Sequence, residues 1–362
     1  MEPTKINDIR NHSDFKSMTF SGFKKTEVKK QLLLSISQGK VEPSCYWCAE
    51  FICSGHYTDL WEILLYYLSK YIHLGNPKLA VYLEKRFTLF RNIMVQGVYH
   101  DEIELRNHPT IRTLFAEIIS IFALSPKKPS IEPMKLNREE EFDMTLLSEK
   151  LKAPTSTFLD PIWQKEDPKE ITIAINELMY HISEVNHVPN MTNACYWVEW
   201  IIEFDAICKK RKLKCICQTR EKIPVEHKYQ KEIIWIVWDA LFYTIQQKQN
   251  PFLLSLMSSL LKLFCIHFSP PSVKKRKYLL YFAISLITEN VNTQIEMISD
   301  KLLITNTINQ IETIYKQIKK NELSPNTEYL FSGLHQNDSL QKTLQKIEMM
   351  NSLSTFSLEE KN

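Results

Sequence analysis

The stretch Ser44–Gly55, SCYWCAEFICSG, places three cysteines, a tryptophan and a tyrosine within ten positions. It is either a metal or redox motif or the apolar face of a helix that carries thiols, and the choice decides the fold. A C-x-x-C zinc knuckle needs a second ligand pair at a finger-like distance, and none follows Cys48. A thioredoxin-type site needs a preceding strand in a βαβ setting, which the pattern lacks. The chain answers by repetition. Ser44-Cys45-Tyr46-Trp47 recurs as Ala194-Cys195-Tyr196-Trp197, and Ile52 finds Ile202 at the same offset. In the second copy Val198 stands where the first has Cys48, so an apolar residue does the same work and core packing is expected of both.

A second block extends the echo. Trp61, Asn76, Pro77, Leu79, Leu89 and Phe90 match Trp235, Asn250, Pro251, Leu253, Leu263 and Phe264 without a gap, and Phe115-Ala116 matches Phe282-Ala283 further on. Cysteine, tyrosine and tryptophan are scarce residue types and the order of the blocks is kept, so a tandem duplication of helical hairpins is expected. Between the blocks the second copy is longer by 24 residues.

The periodicity around these blocks is helical. In DLWEILLYYLSKYIHL, Leu60, Leu64, Tyr67, Leu68 and Tyr71 recur at spacings of three and four. Gly75 is expected to end that helix, Asn76 to cap the next and Pro77 to take its first position. Similar stripes predict helices over 26–37, 45–53, 110–124, 170–184, 194–208, 231–247, 251–267, 275–288 and 293–319. Only six glycines occur in 362 residues, five of them before position 100, which argues against hairpin-rich β structure and glycine loops that cradle phosphate. The expected fold is all-α, with two related helical-hairpin halves (1–124 and 169–322) joined by an irregular connector, 125–168, that holds six of the sixteen prolines. A polar mobile tail, 323–362, with a short helix near Leu340–Met350, is expected to follow.

Composition limits the function classes. The polar, partly acidic N-terminus lacks the apolar stretch of a secretory signal, so the eight cysteines are expected to be reduced thiols inside a cell, in a protein that is not secreted. The apolar run Pro251–Phe268 is interrupted by Lys262 and serines and falls short of about 20 residues, so it reads as a buried helix with no membrane partner. No P-loop, dinucleotide fingerprint, H-E-x-x-H or G-x-S-x-G elbow occurs, and the acidic run Glu139–Asp143 reads as a solvated connector. A non-enzymatic binding or scaffold role follows.

The candidate site lies where the copies differ. The insertion, 205–228, reads DAICKKRKLKCICQTREKIPVEHK and has seven basic residues between Cys208 and Lys222 against one acid. Lys209, Lys210, Arg211, Lys212 and Lys214 are candidate phosphate contacts, and so are Lys274, Lys275, Arg276 and Lys277 in a second basic run after Pro270-Pro271. Both runs are equally a solvated helix end. Cys208, Cys215, Cys217 and His227 are ligand types for tetrahedral zinc, though C-x6-C-x-C-x9-H is no standard finger spacing; otherwise they are thiols in a basic loop with no cofactor.

Two resemblances add a setting. From Tyr46 to Ala80 the chain resembles the C-terminal helical region of replication-restart AAA+ ATPases of the RarA/MgsA and Werner-helicase-interacting family. There a Tyr-Trp-x-Ala helix, a glycine turn, a helix and a Ser-Glu-Asp-Ile-Gly-Leu-Ala-Asp-Pro segment follow in order. Tyr46, Trp47, Ala49, Gly55, Ser69, Ile72, Leu74 and Pro77 fall in corresponding places, while Lys70-Tyr71 replaces the acidic pair and the ATPase core is absent. The resemblance implies a clamp-loader-collar-like helical fold used for association, without ATP hydrolysis. Across nearly its whole length the chain is also similar to an uncharacterised protein family of nucleocytoplasmic large DNA viruses, through HLGNPKLAVYLEKRF, NREEEFDMTLLSEKLKAP, WIIEFDAICKK and NVNTQIEMISDK. That likeness implies viral DNA replication or transcription, in the factory of the host cytoplasm or in the nucleus. Protein partners, DNA or RNA and a second copy of the chain are then the expected partners, and a virion structural or internal role is the alternative.

Overall fold

The computed structural model describes residues 4–97, 99, 102–137, 142, 148–184 and 188–323. The expected tail beyond Leu323, with its short helix, and the acidic residues Glu139–Glu141 and Asp143 lie outside the described residues. Among the described residues the fold is all-α: there is no strand, and the extended pairings are two isolated bridges, Met18 with Lys24 and His73 with Lys128. No helix there is long and apolar enough to cross a membrane.

The first five helices are α1 (Lys25–Ser37), α2 (Val41–Cys53), α3 (Tyr57–Tyr67), α4 (Leu79–Gln96) and α5 (Pro109–Leu124). The next five are α6 (Thr172–Ile182), α7 (Met191–Lys210), α8 (Ile234–Gln247), α9 (Pro251–Phe264) and α10 (Lys277–Thr288), with a single turn, Ser272–Lys275, before α10. The last described helix is α11 (Lys301–Lys319), which packs back onto α2 and α5. The stretch 125–168 holds no long helix among its described residues, yet it is sewn to α6. The Glu177 carboxylate accepts from the backbone N–H groups of Lys152 and Ala153 at 3.0 and 2.9 Å, and Asn176 Oδ1 accepts from Phe158 N–H at 3.0 Å.

The cysteine-rich stretch is the buried face of α2. Cys45, Cys48 and Cys53 lie in the core, and burial pushes the Cys45 thiol up to about 12 and raises the other two further. A thiol held that firmly to its proton is a small apolar packing group rather than a nucleophile or ligand. Cys195, Tyr196, Trp197 and Val198 are likewise buried on α7.

Helix starts differ between the matched blocks. Asn250 caps α9, accepting from Phe252 N–H at 3.0 Å and Leu253 N–H at 3.2 Å, with Pro251 in the first position. Asn76 does not cap. Its amide donates to Met297 O at 3.1 Å instead, and α4 starts at Leu79. The cause lies upstream, where α3 runs on into a π-helical turn, Leu68–Ile72, that closes on His73 at φ 46° and lays the chain against 126–130. Gly75 is what lets the strands of chain meet: a Cβ there would stand 2.5 Å from Pro126 O and 2.7 Å from Lys128 N.

The two sets of five helices meet along α4 with α9, and α10 lies against α3 and its π turn. Arg276, 4% exposed, closes this junction. Its Nη1 donates to Phe264 O at 2.7 Å and also to Ile266 O, and its Nε donates to Glu62 Oε1 at 3.1 Å, with Nη2 on the same carboxylate. The guanidinium therefore caps the carbonyl end of α9 while it pairs with α3. His73 also sits in the junction, its ring 4.8 Å from that of Phe282, and burial lowers its pKa from 6.5 to about 4.

Removing Arg276 leaves Glu62 and two buried carbonyls without their donor. Arg276→Ala is expected to cost about 3–5 kcal/mol of unfolding free energy in urea titration, and Glu62→Gln, which keeps an acceptor, about 1 kcal/mol. His73 sets a sign for pH. Between pH 6.5 and about 4 the unfolded chain binds a proton at this histidine that the folded chain refuses, so stability falls as pH drops through that window. His73→Gln is expected to flatten this part of a pH series of urea midpoints.

Candidate functional site

The insertion begins as the end of a helix. α7 continues to Lys210, and Lys212 then takes the left-handed conformation at φ 57°. Leu213 N–H donates to Cys208 O at 2.9 Å and Lys212 N–H to Lys209 O at 3.2 Å, the bond pair of a Schellman C-cap. That position usually holds glycine, because a side chain is strained there. Lys210, Arg211, Lys212 and Lys214 are all exposed around this turn, and no carboxylate among the described residues pairs with them. Lys209 differs: it bridges Asp205 and Glu232 at 2.6 Å each and serves the fold. Leu213 is 57% exposed at the crest of the turn, and Ile216 is also exposed.

The four candidate zinc ligands do not converge. Cys208 is buried facing Cys215, Cys217 donates its thiol to Glu232 O at 3.3 Å, and His227 is exposed at the head of a short turn, His227–Tyr229. Among the described residues no group of three or more His, Cys, Asp or Glu side chains could hold a metal ion. Burial raises Cys208 and pushes Cys215 and Cys217 up to about 12.

The second basic run divides by direction. Lys274 and Lys275 are exposed, Lys274 at 3.3 Å from Glu203. Arg276 and Lys277 point inward and leave the phosphate-binding group proposed from sequence. Arg276 closes the junction described above, and Lys277 pairs at 2.8 Å with Glu199, which also accepts from Tyr281 OH at 2.5 Å. The inward positions follow the stripe of the helix, Val273, Arg276, Leu280 and Ala283 being spaced by three, four and three.

A feature the sequence reading missed lies behind the basic turn. Arg220, buried at the far end of the insertion, donates from Nη1 and Nη2 to Asp167 Oδ1 and Oδ2 at 2.8 Å each and from Nε to Asp239 Oδ2 at 2.6 Å. The bidentate pair ties the insertion to the connector, and the third bond ties it to α8. Arg220 and Asp239 floor a cleft of about 710 Å³ between the connector, the insertion and α8, with the buried Asp167 outside its lining. Their separations of 53 and 19 residues fit no local motif, so only the isolated arginine before the buried Ile223 hinted at them.

Searched against protein-family models, curated proteins and solved structures, the chain matches none of them.

The strained cap gives a test of what the basic turn is for. If stability alone governed it, glycine would be the better residue, so Lys212→Gly is expected to raise unfolding free energy by about 1 kcal/mol while removing one exposed charge. Thermal and urea unfolding of the single variant check this directly.

Proposed function

We propose that the protein is a non-enzymatic helical scaffold of two duplicated halves, which engages nucleic acid through the basic turn Lys210, Arg211, Lys212 and Lys214, as a component of viral DNA replication or transcription. The observation that carries the polyanion part is the charge state of that turn. Four exposed cations crowd one helix end without a single carboxylate partner among the described residues, whereas Lys209, Arg276 and Lys277 nearby are each paired. Such a cluster attracts a polyanion by releasing its condensed counterions and needs no base-specific pocket.

Equivalent packing supports the duplication. In the first five helices the first packs on the second, third and fifth, the second on the third and fifth, and the fourth on the fifth. The same pairs recur in α6–α10. Trp61 meets Phe90 at 5.6 Å between ring centroids, and their matched residues Trp235 and Phe264 meet at 6.0 Å. The viral setting rests on the strings quoted above, and the collar-like resemblance favours association over chemistry.

Fluorescence anisotropy with single- and double-stranded oligonucleotides over a salt series tests the reading. Binding is expected to weaken steeply with salt, and the combined Lys210→Gln, Arg211→Gln, Lys212→Gln and Lys214→Gln variant is expected to reduce the log–log slope by about 3. No binding, or an unchanged slope in a folded variant, overturns it.

A further inference from the structure

The insertion has a second face. The cleft behind the basic turn is about 710 Å³, within the range of sites that enclose a small ligand or a single side chain. Its charges do not cancel. Arg220 donates to both oxygens of Asp167 and to Gln218 O at 2.9 Å, and Asp167 also accepts from the N–H groups of Gln164 at 2.9 Å and Gln218 at 3.0 Å. That buried pair is closed and neutral. Asp239 is not closed. Arg220 binds its Oδ2 alone, no described group donates to Oδ1, and the side chain is 32% exposed on the cleft. Glu221 and Lys222 also line the cleft and Lys222 acts on Asp239, so with Asp167 behind the floor three carboxylates stand against two cations. Burial raises Asp239 from its ordinary value against the pull of Arg220 and Lys222. The walls are half-buried Trp163, Phe242 and Tyr243.

A partly desolvated carboxylate beside aromatic faces is the chemistry that recognises an organic cation, through a charge-assisted hydrogen bond at one end and cation–π contact along the walls. We propose that this cleft binds an ammonium or guanidinium group on a short flexible body, supplied by a free polyamine or by a lysine or arginine side chain of a partner. The inference is independent of the nucleic-acid reading, because the cleft and the basic turn share no side chain.

Isothermal titration of the full chain with spermidine, N-acetyl-arginine amide, N-acetyl-glutamine amide and inorganic phosphate tests it. Saturable binding of either cation is expected, with the neutral amide not binding and any phosphate binding unaffected by Asp239→Asn. Spermidine alone assigns a polyamine, and the arginine amide alone assigns a partner side chain. Asp239→Asn, which retains an acceptor for Arg220 Nε, is expected to weaken the cation by about tenfold or more. Tyr243→Leu, on the half-buried wall, keeps the test open should the first variant fail to fold, and is expected to weaken binding severalfold. Absence of cation binding, phosphate binding that Asp239→Asn alters, equal binding of the glutamine amide, or wild-type affinity in a folded variant overturns the proposal.

Discussion

One guanidinium fixes how the helices of this protein stand. Arg276 is taken out of water, and each side of its planar fork is matched, with Glu62 of α3 on one and the last carbonyls of α9 on the other. A buried arginine tolerates no loose partner, because the cost of stripping its water is recovered only by a complete set of acceptors. The requirement sets the register of α10 from the residue just before its start. From there Tyr278 reaches the cluster in which Lys70 lies 5.1 Å over its ring and 5.5 Å over that of Tyr71, and Phe282 meets His73.

The same device recurs at the other long-range joints. Arg112 holds α11 against α5 by pairing with Glu312 at 2.6 Å, donating to Thr4 O at 3.2 Å and lying 4.0 Å over the Tyr315 ring. Arg220 holds the connector and α8 to the insertion. Hydrophobic stripes draw these helices together but leave their sliding and rotation weakly determined, since apolar contact is non-directional. Buried ion pairs add little net stability by themselves; what they contribute here is orientation, because a misplaced helix would strand a charge.

Helix identity was legible in the sequence where a stripe repeated over several turns, as in α3 and α9, because burial of one face dominates short-range preference. The packing role of Cys45 and Cys48 was legible from Val198, which stands at the place of Cys48 in the matched stretch of α7. What could not be read was any feature whose cause lies elsewhere in the chain. Asn76 has the same local sequence signal as Asn250, yet the approach of residues 126–130 to the π turn diverts it from capping. Arg276 resembled its neighbours in a basic run until the periodicity of Val273, Leu280 and Ala283 is laid over it. The Asp167–Arg220–Asp239 group has no motif because its members come from three separate segments.

The insertion therefore has to be explained at its two ends separately. Cations in the last turn of a helix are favoured by the dipole by about 0.3–1 kcal/mol, which accounts for Lys209 and Lys210 without invoking a ligand. It does not account for Lys212, whose φ of 57° makes glycine the less strained residue, nor for Lys214 beyond the helix end, nor for the exposed Leu213 between them. At the other end Arg220 accounts for Asp167 and for one oxygen of Asp239 but not for the other. What local stability leaves unexplained is thus a group of unpaired cations on the turn and a single carboxylate oxygen in the cleft.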